Sequence, residues 1–404
     1  MNTMNKLDAN GRVRRAPRGR SLHVLLGVCT VALSILGAGS AFADARDQAK
    51  RIHDRIAGVP PDAATLDAMA ADITGGNPQA AAQKAMDSSA FYTVTLKNFV
   101  TPWTNRDQTV FAPLNDYTAT VIGMVRDDVP FNTALSADLV YVGNAGLGLP
   151  AYSVSNNDLY QQMEDRGLDL KTALVSTTQS SVSGLPANAT AGLITTRAAA
   201  QAFFIAGTNR AMFRFTLVNH LCKDMEQVHD TTRPPDRIRQ DVARSPGGDS
   251  RIFLNSCIGC HSGMDPMAQA FAYYNFDSTA GRIVYTAGQV QPKYLINSDN
   301  FKSGYVTPND HWDNRWRQGP NQLLGWDLSL PGSGDGAKSL GAELASSNQF
   351  AHCQAEKVFK NVCLRAPGNA ADRSQIDSMV TSFKSSNYKM KQLFADAAVY
   401  CMGD

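Results

Sequence analysis

The sequence has no marked excess of charge of either sign, no internal repeat and only one long apolar run. Its 404 residues contain 38 Lys and Arg against 36 Asp and Glu. Because a nearly neutral chain offers no extended basic surface to neutralise phosphates, nucleic acid is not expected as a partner. Outside residues 1–43, no apolar stretch approaches the roughly 18 residues of a membrane-spanning helix.

Residues 1–43 contain the single long apolar run. A basic segment with five arginines precedes the run from Leu22 to Leu36, and the triplet Ala41-Phe42-Ala43 follows it. This order is typical of a cleaved secretory signal peptide. Its removal takes away six basic side chains and one acidic side chain and changes the formal net charge from +2 to −3. We therefore expect a periplasmic or otherwise exported protein, which associates with a membrane only through a partner or an uncleaved signal.

The sequence has a single Cys-x-x-Cys pair, and His follows it directly in Cys257-Ile258-Gly259-Cys260-His261. Cys-x-x-Cys-His is the attachment motif of haem c. Two thiols three positions apart lie on one side of a helical turn, where they can add to the two vinyl groups of one porphyrin. The His261 imidazole is then the proximal ligand of the iron. The motif predicts one covalent haem c, held by Cys257 and Cys260.

A Cys-x-x-Cys pair has two other common uses, in zinc sites and in redox pairs. A structural zinc site would need two more ligands, and the candidate pair His352-Cys353 lies about 90 residues away. A redox pair of the thioredoxin type would need a strand, helix and strand around it, which the neighbouring residues do not indicate. Haem attachment is therefore the favoured interpretation.

Four further cysteines lie outside the signal and the motif: Cys222, Cys353, Cys363 and Cys401. In an oxidising compartment, four thiols are expected to form two disulfides. Three pairings are open, but a straight helix would hold Cys353 and Cys363 about 15 Å apart, which disfavours a bond between them. We expect links from Cys222 or Cys401 to the helix that carries the other two.

The spacing of apolar residues predicts a mainly α protein. The length of the mature chain indicates more than one domain, and the Cys-x-x-Cys-His motif indicates that one of them is a cytochrome c-like haem-binding unit. We expect an N-terminal helical module over residues 44–190, a haem domain over 191–290, and an irregular aromatic segment with a C-terminal helical module over 291–404. The Ser, Thr, Gly and Asn-rich stretch 176–192 is the best candidate for a linker.

Local signals predict three further features. Asp265-Pro266 is interpreted as the start of a helix, with Asp265 capping free N–H groups and Pro at the first helical position. A short helix is expected over residues 236–242. The last helix, over 372–400, is expected to break near residues 385–387.

Beyond the pentapeptide, the run from Cys257 through Met264-Asp265-Pro266 to Phe276-Asp277 and Gly281-Arg282 resembles the cytochrome c-like domain of unknown function of large planctomycete-type cytochromes. In that family, Cys-x-x-Cys-His-x-x-Met-Asp-Pro precedes Phe-Asp and Gly-Arg. The resemblance implies a c-type cytochrome and names no substrate. This chain is shorter than is usual for the family and lacks its additional modules.

The second axial ligand separates a carrier from an enzyme, because carriers have Met or His there and haem enzymes keep the position open. His311 is the candidate distal ligand, since it lies about 50 residues beyond the motif in an aromatic segment. Arg282 is a tentative partner for a haem propionate. The alternatives that remain are an open site or one of Met264, His220, His229, His352, Met379, Met390 and Met402.

The sequence therefore predicts an exported mono-haem c-type cytochrome that transfers single electrons to or from a redox partner protein, with no catalytic residue assigned. A periplasmic haem enzyme, peroxidase-like or oxygenase-like, with an open distal site is the first alternative. A docking subunit of an envelope redox complex is the second, because so much of the chain lies outside the haem motif.

Overall fold

The computed structural model of the chain describes residues 43–205, 207–294 and 304–403. These residues belong to one compact unit whose structure is mainly helical, which confirms the expected α class. The predicted signal peptide lies outside the described residues except for Ala43. Within the described ranges, no helix has both the length and the apolar character needed to cross a membrane.

Several of the helices begin at side-chain caps. Asp44, Asp62 and Asn77 accept backbone N–H groups in the first turns of the first three helices. In chain order the helices are α1 Ala45–Ala57, α2 Ala63–Thr74, α3 Pro78–Met86, α4 Lys97–Val100, α5 Asp116–Arg126, α6 Asp158–Asp165, α7 Leu170–Ala173, α8 Gln179–Ser183, α9 Arg197–Phe203, α10 Arg210–Leu221, α11 Ser250–Ile252, α12 Ile258–Ala268, α13 Gly336–Ala345, α14 Asn348–Cys363, α15 Ala370–Ser385 and α16 Met390–Tyr400.

Three short antiparallel strand pairs, which the sequence analysis did not predict, accompany the helices. They are β1 Val140–Gly143 with β2 Leu174–Thr177, β3 Tyr274–Asp277 with β4 Arg282–Tyr285, and β5 His311–Asp313 with β6 Ser333–Asp335. Each strand has three or four residues, which is too short for an alternating apolar pattern to stand out.

One large apolar cluster joins the N-terminal, central and C-terminal parts of the described chain. Helix α12, which carries the Cys-x-x-Cys-His motif, packs on α10, α10 packs on α14, α14 on α16, and α16 on α3. The stretch 176–192 also contributes to the interior, since Gln179, Thr190 and Ala191 are fully buried. The motif helix is therefore continuous in packing with the rest of the molecule.

The two disulfides confirm the expected links to the helix that carries Cys353 and Cys363. Cys222, directly after α10, is bonded to Cys353 in α14, and Cys363 at the end of α14 is bonded to Cys401 directly after α16. Helix α14 is thereby tied to two of its neighbours in the core.

Two local predictions around the motif were wrong, and one at the C-terminus is confirmed. Helix α12 runs through Asp265-Pro266, because the Asp265 side chain bonds arginines and His261 and does not cap a new helix. Residues 236–242 form turns and a bridge to Tyr305, with no helix among them. The last predicted helix does break, between Ser385 and Met390.

Candidate functional site

The Cys-x-x-Cys-His motif lies where the helical path changes its pitch. Helix α11 continues into a wider π-helical turn, Phe253–Cys257, and this turn leads into α12. Such turns are rare and occur often at functional sites. Cys257 closes the π-turn, and Cys260 and His261 follow in the first turn of α12, so the three side chains share one side of the helix.

Cys257 and Cys260 are the two cysteines of the described residues without a disulfide bond, and both are partly exposed. The Cys260 thiol lies 3.6 Å from the carbonyl oxygen of Met225, to which it can donate a weak hydrogen bond. Partial burial raises the pKa of Cys260, as does the nearby Cys257. Both effects favour the thiol form of Cys260 at this partly exposed position.

An apolar surface borders these thiols. Cys257 and Ile258 pack against a small cluster of Ile238, Val242 and Phe253, which is separate from the main core. Just before the motif, two further apolar side chains face solvent: Ile252 is 45% exposed and Leu254 is 54% exposed. The surroundings of the thiols therefore suit an apolar ring system.

The His261 ring is oriented by a carboxylate one helical turn further on. Its Nδ1 lies 3.2 Å and 3.1 Å from the two carboxylate oxygens of Asp265. Because the ionised carboxylate can only accept, Nδ1 carries the proton and donates it. The partly exposed imidazole then has its lone pair at Nε2, which is the nitrogen that can bind a metal.

Asp265 belongs to a buried network of charges. Arg210 donates from Nε and Nη2 to the two carboxylate oxygens, at 2.9 Å and 3.0 Å. Arg210 also donates two hydrogen bonds to Asp241, and Nη2 of Arg239 lies 3.7 Å from Asp265. Burial alone would raise the pKa of Asp265, but the two arginines and His261 outweigh it and hold that pKa well below its usual range. Asp265 is therefore an anion.

On the face of α12 opposite His261, two glycines leave space for aromatic rings from other segments. A Cβ at Gly259 would lie 2.2 Å from Nε2 of His229, and a Cβ at Gly263 would lie 1.9 Å from Nε1 of Trp316. Gly259 and His261 are two residues apart and so point about 160° apart around the helix. His229, one of the alternative distal ligands, thus lies behind the helix that carries His261.

His311 lies at the start of β5, opposite Asp335 of β6. Its Nδ1 is 2.9 Å from Asp335, and its Nε2 is 3.7 Å from Asp313. The structure therefore places both ring nitrogens of the tentative distal ligand toward carboxylates.

The other two histidine alternatives lie on α10 and α14. His220 is buried, and its Nε2 is 2.7 Å from the Tyr117 hydroxyl. His352 on α14 has its Nδ1 3.9 Å from Glu356. Each ring is thus placed by contacts away from the motif.

The candidate methionines and Arg282 have ordinary structural positions. Met264 lies one turn beyond Cys260 and is 5% exposed within the main core. Arg282 is exposed at the end of the β3–β4 pair, opposite Asp277, and this pair packs against α9. The C-terminal candidates Met379, Met390 and Met402 pack in or against the main core.

The motif groups the two thiols and His261 in the sequence, but the partners of Asp265 were not predicted. The His261-Asp265 spacing of four residues was available in the sequence as a sign that the two side chains meet on a helix. Arg210 and Arg239 come from segments 55 and 26 residues away, and no local pattern marks them.

No protein-family model matches the chain, and the comparisons found no similar curated protein and no similar solved structure. Among the residues that the structure describes, no group of three or more His, Cys, Asp or Glu side chains is arranged to hold a metal ion. The disulfide at Cys353 removes that residue as a zinc ligand for Cys257 and Cys260.

The residues present at the motif fit a covalent haem. They offer two thiols outside the disulfides, an imidazole whose Nε2 is available, and an apolar border beside the thiols. This donor set is the one that haem c requires.

Proposed function

We propose that the protein is an exported mono-haem c-type cytochrome that passes single electrons to or from a partner protein. The observation that carries the proposal is the arrangement of Cys257, Cys260 and His261 on one side of a helix, with both cysteines outside the disulfides and with Nδ1 of His261 bonded to Asp265. The resemblance of the motif to the planctomycete-type cytochrome c-like domain supports the same function.

Each residue has a defined role in this proposal. The haem, when bound, supplies an iron that changes between its ferrous and ferric states. The Cys257 and Cys260 thiols would hold the haem, each by adding sulfur and hydrogen across one vinyl group, which would consume no oxidant. His261 provides Nε2 as the proximal ligand. The apolar cluster around Phe253 keeps water away from the attachment side.

Export is supported by two independent features. The sequence begins with a segment typical of a signal peptide. The two disulfides, Cys222–Cys353 and Cys363–Cys401, are compatible with an oxidising compartment. A periplasmic location would also bring the chain to where haem c is attached in bacteria.

The test is expression of the full-length precursor in a host that can attach haem c. The mature protein should contain one haem that resists acid-acetone extraction and gives a c-type pyridine haemochrome spectrum. The Cys257→Ala, Cys260→Ala double variant should lose it, whereas Cys363→Ser, Cys401→Ser should retain it. Haem that extracts freely from the wild type, or no haem at all, would contradict the proposal.

A haem enzyme is the second candidate, and the carboxylate beside His261 is the observation that favours it. A proximal imidazole that donates to an anion is a stronger base toward iron and stabilises the ferric state, in which many haem enzymes meet their oxidant. Rapid binding of cyanide by the ferric protein, or of carbon monoxide by the ferrous protein, would favour the enzyme. A spectrum unchanged by both ligands would support the carrier.

A further inference from the structure

We propose that Asp265 is the positioning residue of the proximal ligand and that its negative charge lowers the reduction potential of the bound haem. The inference rests on the proposed function, since it concerns the iron that His261 would bind. It starts from one geometric fact: both carboxylate oxygens of Asp265 lie within 3.2 Å of Nδ1 of His261.

The carboxylate is held so firmly that it fixes the ring. Its side chain is fully buried, and Arg210 grips both oxygens in a bidentate ion pair. The backbone N–H of Arg239 also donates to it, at 3.5 Å. Rotation of Asp265 away from His261 would break these bonds in a buried site, so the ring keeps Nδ1 protonated and Nε2 free for a metal.

The charges of the network also determine its electrostatic effect on the His261 ring. Asp265 and Asp241 carry two negative charges, and Arg210 and Arg239 carry two positive charges. Because the group is neutral as a whole, its effect at a distance is small. The network therefore acts on the iron through the hydrogen bond between Asp265 and His261, since a hydrogen bond to an anion makes the imidazole a stronger donor to the metal. A stronger donor favours ferric over ferrous iron, which lowers the potential.

A purely structural role for this i, i+4 pair predicts something different. On a helix, a His and an Asp four residues apart can stabilise the helix by their side-chain contact and have no further role. In that case a substitution of Asp265 would lower the stability of the protein and leave the reduction potential of the haem unchanged. The potential is therefore the quantity that separates the two roles.

The experiment compares Asp265→Asn with Asp241→Asn in the full-length, haem-loaded protein. Both variants remove one negative charge from the same network, but Asp241 bonds Arg210 and is not among the partners of His261. We expect Asp265→Asn to raise the potential by at least about 59 mV, which is a tenfold shift of a one-electron equilibrium. Asp241→Asn should shift it by less than half as much.

The outcomes separate the two proposals. A haem-loaded Asp265→Asn protein with an unchanged potential, or equal shifts in both variants, would overturn this inference and leave the cytochrome assignment intact. A wild type without covalent haem would overturn both. Should Asp265→Asn fail to fold, proton NMR of the wild type gives the answer: the His261 Nδ1–H resonance should exchange slowly with water, and fast exchange would contradict a buried bond to Asp265.

Discussion

The indole of Trp316 lies directly against Gly263, in a space that even one methyl group at residue 263 would fill. Trp316 is fully buried and comes from the irregular aromatic segment, whereas Gly263 lies on the reverse face of the motif helix. The contact shows what the aromatic segment does in this protein: it supports α12 from behind, on the side away from His261.

Gly263→Ala should destabilise the protein by about 1 to 3 kcal/mol, because the added Cβ would overlap the Trp316 ring in a packed core. Denaturant unfolding followed by tryptophan fluorescence measures the change. Gly146→Ala is the control, since its Cβ would meet nothing closer than 3.5 Å. We expect the control to stay within about 0.5 kcal/mol of the wild type. A Gly263→Ala protein as stable as the control would mean that the ring moves aside without cost.

Alkylation of the oxidised, haem-loaded protein in denaturant should find no reactive thiol. Four cysteines are bonded in pairs, and the proposed thioethers block Cys257 and Cys260. Mass spectrometry after treatment with iodoacetamide gives the count directly. Four labelled sites without reductant would show that the disulfides do not form.

Removal of either disulfide should lower the free energy of unfolding by about 2 to 4 kcal/mol, because the unfolded chain regains the freedom of a long loop. The larger loss is expected for Cys222→Ser, Cys353→Ser, since that bond spans 131 residues and the bond between Cys363 and Cys401 spans 38. Chemical denaturation of the two double variants makes the comparison. The reverse order would show that local packing outweighs loop length here.

Acid should destabilise the fold through His220. Burial, aided by the charge of Lys357, lowers the pKa of His220 well below its usual value, whereas the unfolded chain restores a pKa of about 6.5. Below pH about 6.5 the unfolded state therefore binds the extra proton, and the free energy of unfolding falls with pH by up to about 1.4 kcal/mol per unit. Unfolding curves between pH 7.5 and pH 5.5, chosen as roughly one unit on either side of that value, should show the slope.

His220→Gln keeps a group that can bond the Tyr117 hydroxyl and cannot be protonated in this range. We expect a flatter dependence of stability on pH in this variant than in the wild type. Identical slopes in the two proteins would assign the acid sensitivity to other residues.

His311→Ala should leave the haem spectrum as it is in the wild type. Nδ1 of His311 lies 2.9 Å from Asp335 and its Nε2 lies 3.7 Å from Asp313, so binding iron through Nε2 would take that nitrogen away from Asp313. Optical spectra with and without carbon monoxide provide the measurement. A change to high-spin iron that binds carbon monoxide would instead identify His311 as the distal ligand.

Most of the helices, and the linkage of Cys222 and Cys401 to the helix that carries Cys353 and Cys363, could be predicted from the sequence because their signals are local or few, whereas the pairing itself stayed open. Helix α1 follows a capping Asp44 and places Ile52 and Ile56 on one face, and four cysteines allow only three pairings. The strand pair of His311 with Asp335 could not be predicted, because three-residue strands have no period to recognise.

At the candidate site, Cys257, Cys260 and His261 could be grouped from the sequence because the haem c motif has a fixed spacing. The role of Asp265 was misread, because Asp before Pro usually starts a helix and the arginine that holds it lies 55 residues earlier. The role of Gly259 and Gly263 could not be predicted from the sequence, because it depends on the rings of His229 and Trp316 that pack against them.

The pairing of cysteines has a consequence for how this protein is made. Six cysteines in one mature chain can form three disulfides in fifteen ways. In the folded protein, four of the six cysteines form two disulfides, and Cys257 and Cys260 belong to neither bond. If haem attaches first to those two sulfurs, only three arrangements of the remaining four cysteines are left. If oxidation comes first, any disulfide that includes Cys257 or Cys260 must be reduced or exchanged before haem can attach.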